Sequence, residues 1–344
     1  MNFKYVPIIQ INCMLLLCAN VFAASPADLY LGEVSVVDQS VAEQNRVMPA
    51  AMEQVLQKLS GLRQFEDYPE LPEELGMARA KAVTFYYRNR SLAQPDGSEV
   101  EDLRFIVHFS KSAMDQLMQE FQLPIWKPER KPLSVWLVID DGLTREVLPI
   151  EYEYAWDHIK DIAENRGMPI VRPIADEFGA FPVDTQLLWG GYTEDLADVG
   201  YANALIIAGR REGREWNLRM NLDYMDQLRS WRNRNTDIQL ALNEGIHQAI
   251  DEIAAQHSIA ASDQGQWNID ITVSGVVTAA DYARCLDYFE RVSLVENIVV
   301  RSAATGKVQF ELGLNAVPTY LYEAFQSDGV LSPGDKENQY ELLP

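Results

Sequence analysis

The sequence predicts a multidomain α/β (α+β) protein, and three observations lead to this class. The chain has 344 residues, 47% of them hydrophobic, which is enough for two or three domains that each have a core. Two almost wholly apolar runs, 133–139 and 204–209, are typical of central strands covered on both faces. Amphipathic helical patterns alternate with strand patterns, which indicates a mixed sheet with helices on its faces.

The N-terminal α+β domain is expected over residues 28–126, in the order strand, helix, helix, strand, helix. Ser40 and Glu43 have capping-box spacing before a long helical pattern, and Gly61 suits a left-handed helix terminus. The other expected elements are a strand over 29–36, a helix over 73–87, a strand over 103–109 and a short helix capped by Ser110.

The central α/β domain is expected over residues 132–260, after a linker marked by Pro124, Pro128 and Pro132. Its sheet would contain both apolar runs. A hairpin of strands over 215–224 and 229–232 would extend the sheet, and a helix over 237–257 would cover it. Shorter elements are expected as a helix over 154–166, a strand over 168–171 and a helix over 193–199.

The C-terminal domain is expected over residues 266–330 as a compact split βαβ-like unit. Its order is strand, helix, strand, strand, helix, with Thr278 capping the first helix. The polar residues 331–344 are expected to form a disordered tail.

Residues 1–23 are predicted to be a secretory signal peptide cleaved after Ala23. A positive start precedes an apolar run, and Val21 and Ala23 stand at the −3 and −1 positions. Polar interruptions argue against a membrane anchor, and Leu17 before Cys18 argues against a lipidated cysteine. The sequence therefore predicts a periplasmic protein with no membrane span in its mature chain.

Charge and cysteine content restrict the partners and the source of stability. The net charge of −22 argues against nucleic acid and anionic membranes, since both require clustered cations. Cleavage would remove Cys13 and Cys18 and leave only Cys285, so the mature chain is expected to be free of disulfides and to depend on its cores.

Sequence motifs for common catalytic and cofactor sites are absent. The chain lacks the P-loop, dinucleotide-binding, zinc-protease and serine-hydrolase signatures, and its four histidines lack metal-ligand spacing. We therefore predict no catalytic residue, no cofactor and no metal site. The alternative is a hydrolase or divalent-metal site formed by Asp140, Asp141 and Asp176, if these carboxylates converge at one edge of the sheet.

Candidate binding residues lie in two aromatic stretches. Trp189 and Tyr192 flank Gly190 and Gly191 and could form a glycan or small-molecule binding loop, although Trp189 could equally fill a core. On the predicted hairpin, Trp231 stands beside Arg229 and Arg232, a basic patch in an acidic chain. That patch could receive an acidic partner, or it could protect a sheet edge.

Several stretches resemble a known family. Those at 30–36, 55–61, 166–170 and 204–210 are similar to the exported proteobacterial proteins called domain of unknown function 2066. More distantly, the central segment resembles the amino-terminal domain of the Tol translocation protein and lipoprotein activators of peptidoglycan synthases. These resemblances imply protein–protein binding in the cell envelope and no assigned activity. We thus expect a periplasmic envelope accessory protein that binds another envelope protein, along the hairpin or in a groove between the central and C-terminal domains.

Overall fold

The computed structural model describes residues 29–304 and 306–344, so the predicted signal peptide lies outside the described residues. The described chain forms antiparallel and mixed sheets with helices packed against them, which confirms the α+β class. No helix in this part of the chain has the length and apolar character needed to cross a membrane.

The N-terminal sheet is antiparallel and has the order β1-β3-β2. Its strands are β1 (Leu31–Ser35), β2 (Ala82–Ala93) and β3 (Glu99–Phe109). Its helices are α1 (Val41–Ser60), α2 (Leu71–Gly76), α3 (Ala78–Lys81) and α4 (Lys111–Glu120). The helix expected over 73–87 is wrong beyond Lys81, because the β-branched and aromatic residues that follow pair with β3.

Helix α1 begins and ends where the sequence predicts. The Oγ of Ser40 accepts from the N–H of Glu43 at 3.2 Å, and Gly61 has a φ of 75° at the C-terminus. The reciprocal half of the expected capping box differs, because the carboxylate of Glu43 accepts from the N–H of Val37 instead.

The central sheet has the order β10-β9-β8-β5-β6, with β7 pairing beside the start of β5. Its strands are β5 (Leu133–Asp140), β6 (Arg145–Val147), β7 (Ile170–Val171), β8 (Ala204–Glu212), β9 (Glu215–Tyr224) and β10 (Gln227–Asn235). Its helices are α5 (Glu153–Asn165), α6 (Thr185–Gly190), α7 (Glu194–Asp198) and α8 (Ile238–His257). One core packs α5 and α8 against one face, and a smaller core packs α6 and α7 against the other.

The C-terminal sheet has the order β13-β14-β12-β16-β15. Its strands are β12 (Gln264–Val276), β13 (Val295–Ala304), β14 (Gly306–Ala316), β15 (Leu331–Pro333) and β16 (Gln339–Leu342). Its helices are α9 (Ala279–Arg291) and α10 (Thr319–Asp328). The tail expected to be disordered instead supplies β15 and β16, because β16 pairs in parallel with β12 and buries Tyr340 and Leu342.

The predicted proline linker is ordered and holds the sheets together. It contains β4 (Ile125–Trp126), which pairs with β11 (Ser258–Ile259) after α8. The buried guanidinium of Arg130 donates to the carbonyl oxygens of Lys58 and Gly167, each at 2.5 Å. Since these two oxygens belong to the N-terminal and central parts of the chain, Arg130 fixes one part against the other.

Candidate functional site

Strand register places a group of arginines on one face of the central sheet. Residues directly opposite each other on neighbouring antiparallel strands project to the same side. Asp140 pairs with Arg145, Arg210 with Asn217, and Arg219 with Arg232. This is the face that α6 covers. We call it the arginine face and define it by Arg145, Arg210, Arg219, Arg232 and Arg234, with Trp189 lying over it.

Trp189 reaches the arginine face from the short helix α6. Asp184 caps the helix by accepting from the N–H of Gln186 at 2.6 Å, and Gly191 ends it with a φ of 84°. The expected loop around Trp189 is therefore helical up to Gly190. Arg145 on β6 donates to the Oε1 of Gln186 on α6 at 2.7 Å, so α6 lies beside charged side chains of the sheet. The indole of Trp189 therefore contacts these charged side chains as well as the smaller core.

Three guanidinium groups surround the indole of Trp189. Their central carbon atoms lie 4.8 Å (Arg145), 5.5 Å (Arg210) and 5.8 Å (Arg219) from the ring centroid. Each distance falls within the range of a cation–π interaction. Three like charges around one ring repel one another, so the arrangement favours the approach of an anion.

Asp140 neutralises part of this charge. Its Oδ2 accepts from the Nη2 of Arg210 at 2.5 Å and from the Nε of Arg145 at 2.8 Å, and its Oδ1 accepts from the N–H of Gly142. The hydrogen bonds from Arg210 and Arg145 lower the pKa of the Asp140 carboxyl to about 2. The carboxylate is therefore ionised at neutral pH, and both of its oxygens are occupied by these hydrogen bonds.

Several buried donors on the arginine face have no acceptor. These atoms are the Nε and Nη2 of Arg219, the Nε of Arg210 and the Nδ2 of Asn221. Burial, and then the nearby charge of Arg232, lower the pKa of the Arg219 guanidinium. An unpaired donor is costly, and these donors add to the positive character of the face, which favours a ligand that brings acceptors, such as a carboxylate.

The three carboxylates of the alternative enzyme or metal hypothesis do not form one group. Asp141 accepts from the N–H groups of Leu143 and Thr144, and Asp176 accepts from those of Phe178 and Ala180. Strand β7 pairs in parallel with Leu133 and Ser134 at the start of β5, and Asp176 caps its own turn beyond β7. Within the described residues, no three acidic, histidine or cysteine side chains form a possible metal site.

The predicted hairpin patch is divided between the two faces of the sheet. Trp231 lies opposite Met220, and Arg229 lies opposite Leu222, so both project toward α8. The Nε of Arg229 lies 3.6 Å from the Oε2 of Glu252 on that helix. Only Arg232 belongs to the arginine face, where it joins Trp189.

Tyr192, the remaining candidate, lies just beyond α6. Its side chain is 55% exposed, and its ring occupies the space that a Cβ at Gly190 would need. Gly190 therefore permits the close approach of the tyrosine ring to the helix backbone.

Sequence reasoning missed Arg145, Arg210 and Arg219. A signal for Arg219 was present, because polar residues alternate with apolar ones from Trp216 to Leu222 and so share one face. The contributions of Arg145 and Arg210 depend on which strands are neighbours, which the sequence pattern alone does not show.

Cavities of different sizes lie between the sheets in the described part of the chain. One of about 780 Å³ lies between the N-terminal and C-terminal sheets, and another of about 100 Å³ lies between the central and C-terminal sheets. The larger is lined by side chains that include the five amides Gln119, Gln122, Gln264, Gln266 and Asn315. The groove expected between the central and C-terminal parts is thus the smaller of the two.

Comparison with known proteins identifies one family model. Residues 23–127 match a domain of unknown function (DUF8605). This match supports an uncharacterised domain in the N-terminal part of the chain, but not the expected name, domain of unknown function 2066, nor the expected similarities to the Tol protein and to the lipoprotein activators. No curated protein and no solved structure matches the chain.

Proposed function

We propose that this protein is an envelope accessory protein, exported to the periplasm, that binds an acidic segment of another protein on the arginine face. The observation that carries the proposal is the cluster of the Arg145, Arg210 and Arg219 guanidinium groups around the indole of Trp189. In a chain of net charge −22, this surface gathers five arginines against the carboxylates of Asp140, Glu212, Glu215 and Asp223 that strand register places on the same face, and the small excess of positive charge favours anions there.

The geometry supports binding more than catalysis. A general acid or base needs a pKa near the working pH, whereas that of Asp140 is about 2 and its carboxylate is held by two guanidinium groups. Asp141 and Asp176 each cap a turn. No reaction is therefore proposed for these residues.

The binding test uses a labelled peptide in which Glu alternates with Val, and fluorescence anisotropy as the readout. We expect Arg219→Gln and Arg232→Gln each to weaken binding by about ten-fold or more, because each removes a charge-assisted contact. Binding should also weaken as salt rises. A peptide with Lys in place of Glu should not bind.

Arg229→Gln is the matched control, since Arg229 lies on the same strand as Arg232 but projects to the opposite face. Equal losses of affinity in Arg229→Gln and Arg232→Gln would contradict a binding site on the arginine face. Binding that is insensitive to all these substitutions and to salt would refute the proposed function.

A second candidate function, binding of a glycan or small molecule, is favoured by the 780 Å³ cavity. Its volume suits a small ligand, and its amide side chains can both donate to and accept from hydroxyl groups. A soluble peptidoglycan disaccharide should then raise the melting temperature, and Gln119→Ala should abolish the rise. Gln116→Ala, on the same helix but outside the cavity lining, is the control; a rise that both variants retain would exclude this site.

A further inference from the structure

We infer that the acidic segment binds as an added β-strand along β10, an inference that rests on the proposed function. In the described structure β10 is an end strand of the central sheet and pairs with β9 on one side only. Its other edge therefore carries backbone donors and acceptors that an extended chain can pair with.

The composition of β10 identifies the kind of strand it would accept. Its nine residues, Gln227–Asn235, include three arginines and no acidic residue. Arg232 and Arg234 are two residues apart and lie on the arginine face, so their side chains leave the strand about 7 Å apart. Carboxylates at alternate positions of an added strand have the same spacing and would lie opposite these arginines.

The side chains on the opposite face of β10 determine which residues an added strand would favour at its intervening positions. Trp231 is half-buried against the core beneath α8, and its indole Nε1 has no acceptor. The Oδ1 of Asn233 on the same side has no donor. Side chains at the intervening positions of the added strand would therefore rest beside Trp231, which favours apolar residues there. The preferred partner segment alternates acidic with apolar residues.

The same arginines would also be expected if β10 were merely an edge protected by charge. An edge is protected when its charged side chains keep other strands away. This protection does not involve the backbone N–H groups of a ligand. Strand addition, in contrast, depends on the ligand backbone. An experiment that changes the backbone and leaves the side chains intact therefore separates the two.

The test uses the Glu–Val peptide at a length of nine residues, which matches β10, and compares it with two N-methylated versions, methylated at its Glu positions or at its Val positions. In an added strand, alternate N–H groups point toward β10 and away from it. We expect one version to bind about ten-fold or more weakly and the other to bind like the parent. Hydrogen exchange should also slow at β10 amides when the parent peptide binds.

The outcomes separate the two proposals. If both methylated peptides bind as well as the parent and β10 amides remain unprotected, the strand inference is overturned while charge-driven binding on the arginine face stands. If the parent peptide does not bind to the full chain at all, the proposed function fails together with the inference. Restored affinity in an Arg232→Lys variant, relative to Arg232→Gln, would show that charge at this position contributes directly.

Discussion

The Nη2 of Arg166 donates to the Oδ1 of Asp251 at 2.7 Å although only 1% of the Arg166 side chain is exposed. The same nitrogen donates to the carbonyl oxygen of Gly61 at 2.7 Å, and the Nη1 lies 3.1 Å from the Nδ1 of His247. One buried cation thus joins the end of α1 to the middle of α8.

Removing this cation should destabilise the protein strongly. Arg166→Met leaves the Gly61 carbonyl and Asp251 without their donor, and we expect a loss of about 3 kcal/mol of unfolding free energy. Urea denaturation followed by circular dichroism measures it. Arg172→Met, which breaks the more exposed pair with Glu153, should cost less than about 1 kcal/mol. Equal losses of unfolding free energy in Arg166→Met and Arg172→Met would contradict a larger contribution from the buried arginine.

The lowered pKa of His247 predicts that the free energy of unfolding falls in mild acid. Burial first, and then the charges of Arg166 and Arg63, lower its pKa to about 4, against an ordinary value near 6.5. The unfolded chain therefore binds the proton more readily between these values, so stability is present above pH 6.5 and is lost as the pH falls toward 4.

Melting temperatures measured from pH 7 to pH 4 test this expectation. His247→Gln should flatten the decline, because it removes one group that protonates only on unfolding. Gln116→Ala, a substitution on α4 that removes no titratable group, is the control and should leave the slope unchanged. An unchanged slope in His247→Gln would assign the decline to other groups.

Asp140→Asn should have opposite effects on stability and on binding. The variant leaves Arg145 and Arg210, both partly exposed, without their shared carboxylate, so the unfolding free energy should fall by about 1–2 kcal/mol. The arginine face gains one net positive charge, and affinity for the Glu–Val peptide should rise by about five-fold. Denaturation and anisotropy measure the two effects, and weaker binding would contradict the role assigned to this face.

Gly32 should tolerate no side chain. A Cβ at this position would overlap the carbonyl oxygen of Ala51, where β1 packs closely on α1. Gly32→Ala should therefore cost about 1–3 kcal/mol, measured by denaturation. Gly76→Ala is the matched control, since a Cβ there meets no atom within 4 Å, and it should be neutral or slightly stabilising.

Cys285 should be nearly inert in the folded protein. Its thiol is buried, and burial raises its pKa to about 11. Reaction with a disulfide reagent at pH 8 should be roughly 100-fold or more slower than that of a free thiol. In denaturant, protein purified from its native cells should react at one thiol per chain if the first 23 residues are removed, and at three if they are retained.

Local signals in the sequence were sufficient for several elements of the fold. The Ser40 cap and the Gly61 terminus define α1 because both act within a few residues of the helix. The apolar runs of β5 and β8 similarly identify strands covered on both faces. The error at the C-terminus occurs where pairing is distant, because β16 forms on β12, more than 60 residues earlier in the chain.

The candidate site was predictable only in part for the same reason. Trp189 and Arg232 stand out by residue type in an acidic chain, but sequence alone assigns them to separate features. Arg219 joins them through strand register, and Arg210 joins them through the pairing of β8 with β9. A site built across neighbouring strands depends on sheet order, which is a property of the whole fold.

The contacts of Arg130 determine how a large partner can engage this molecule. Since Arg130 bonds to carbonyl oxygens on both sides of the proline-containing segment, that segment is no free hinge between the N-terminal and central sheets. Arg130 therefore limits changes in the separation between the arginine face and the N-terminal wall of the 780 Å³ cavity. A partner with two binding segments gains avidity only when the spacer between them matches that separation. Spacer length, as well as the affinity of either segment, would then select among partners.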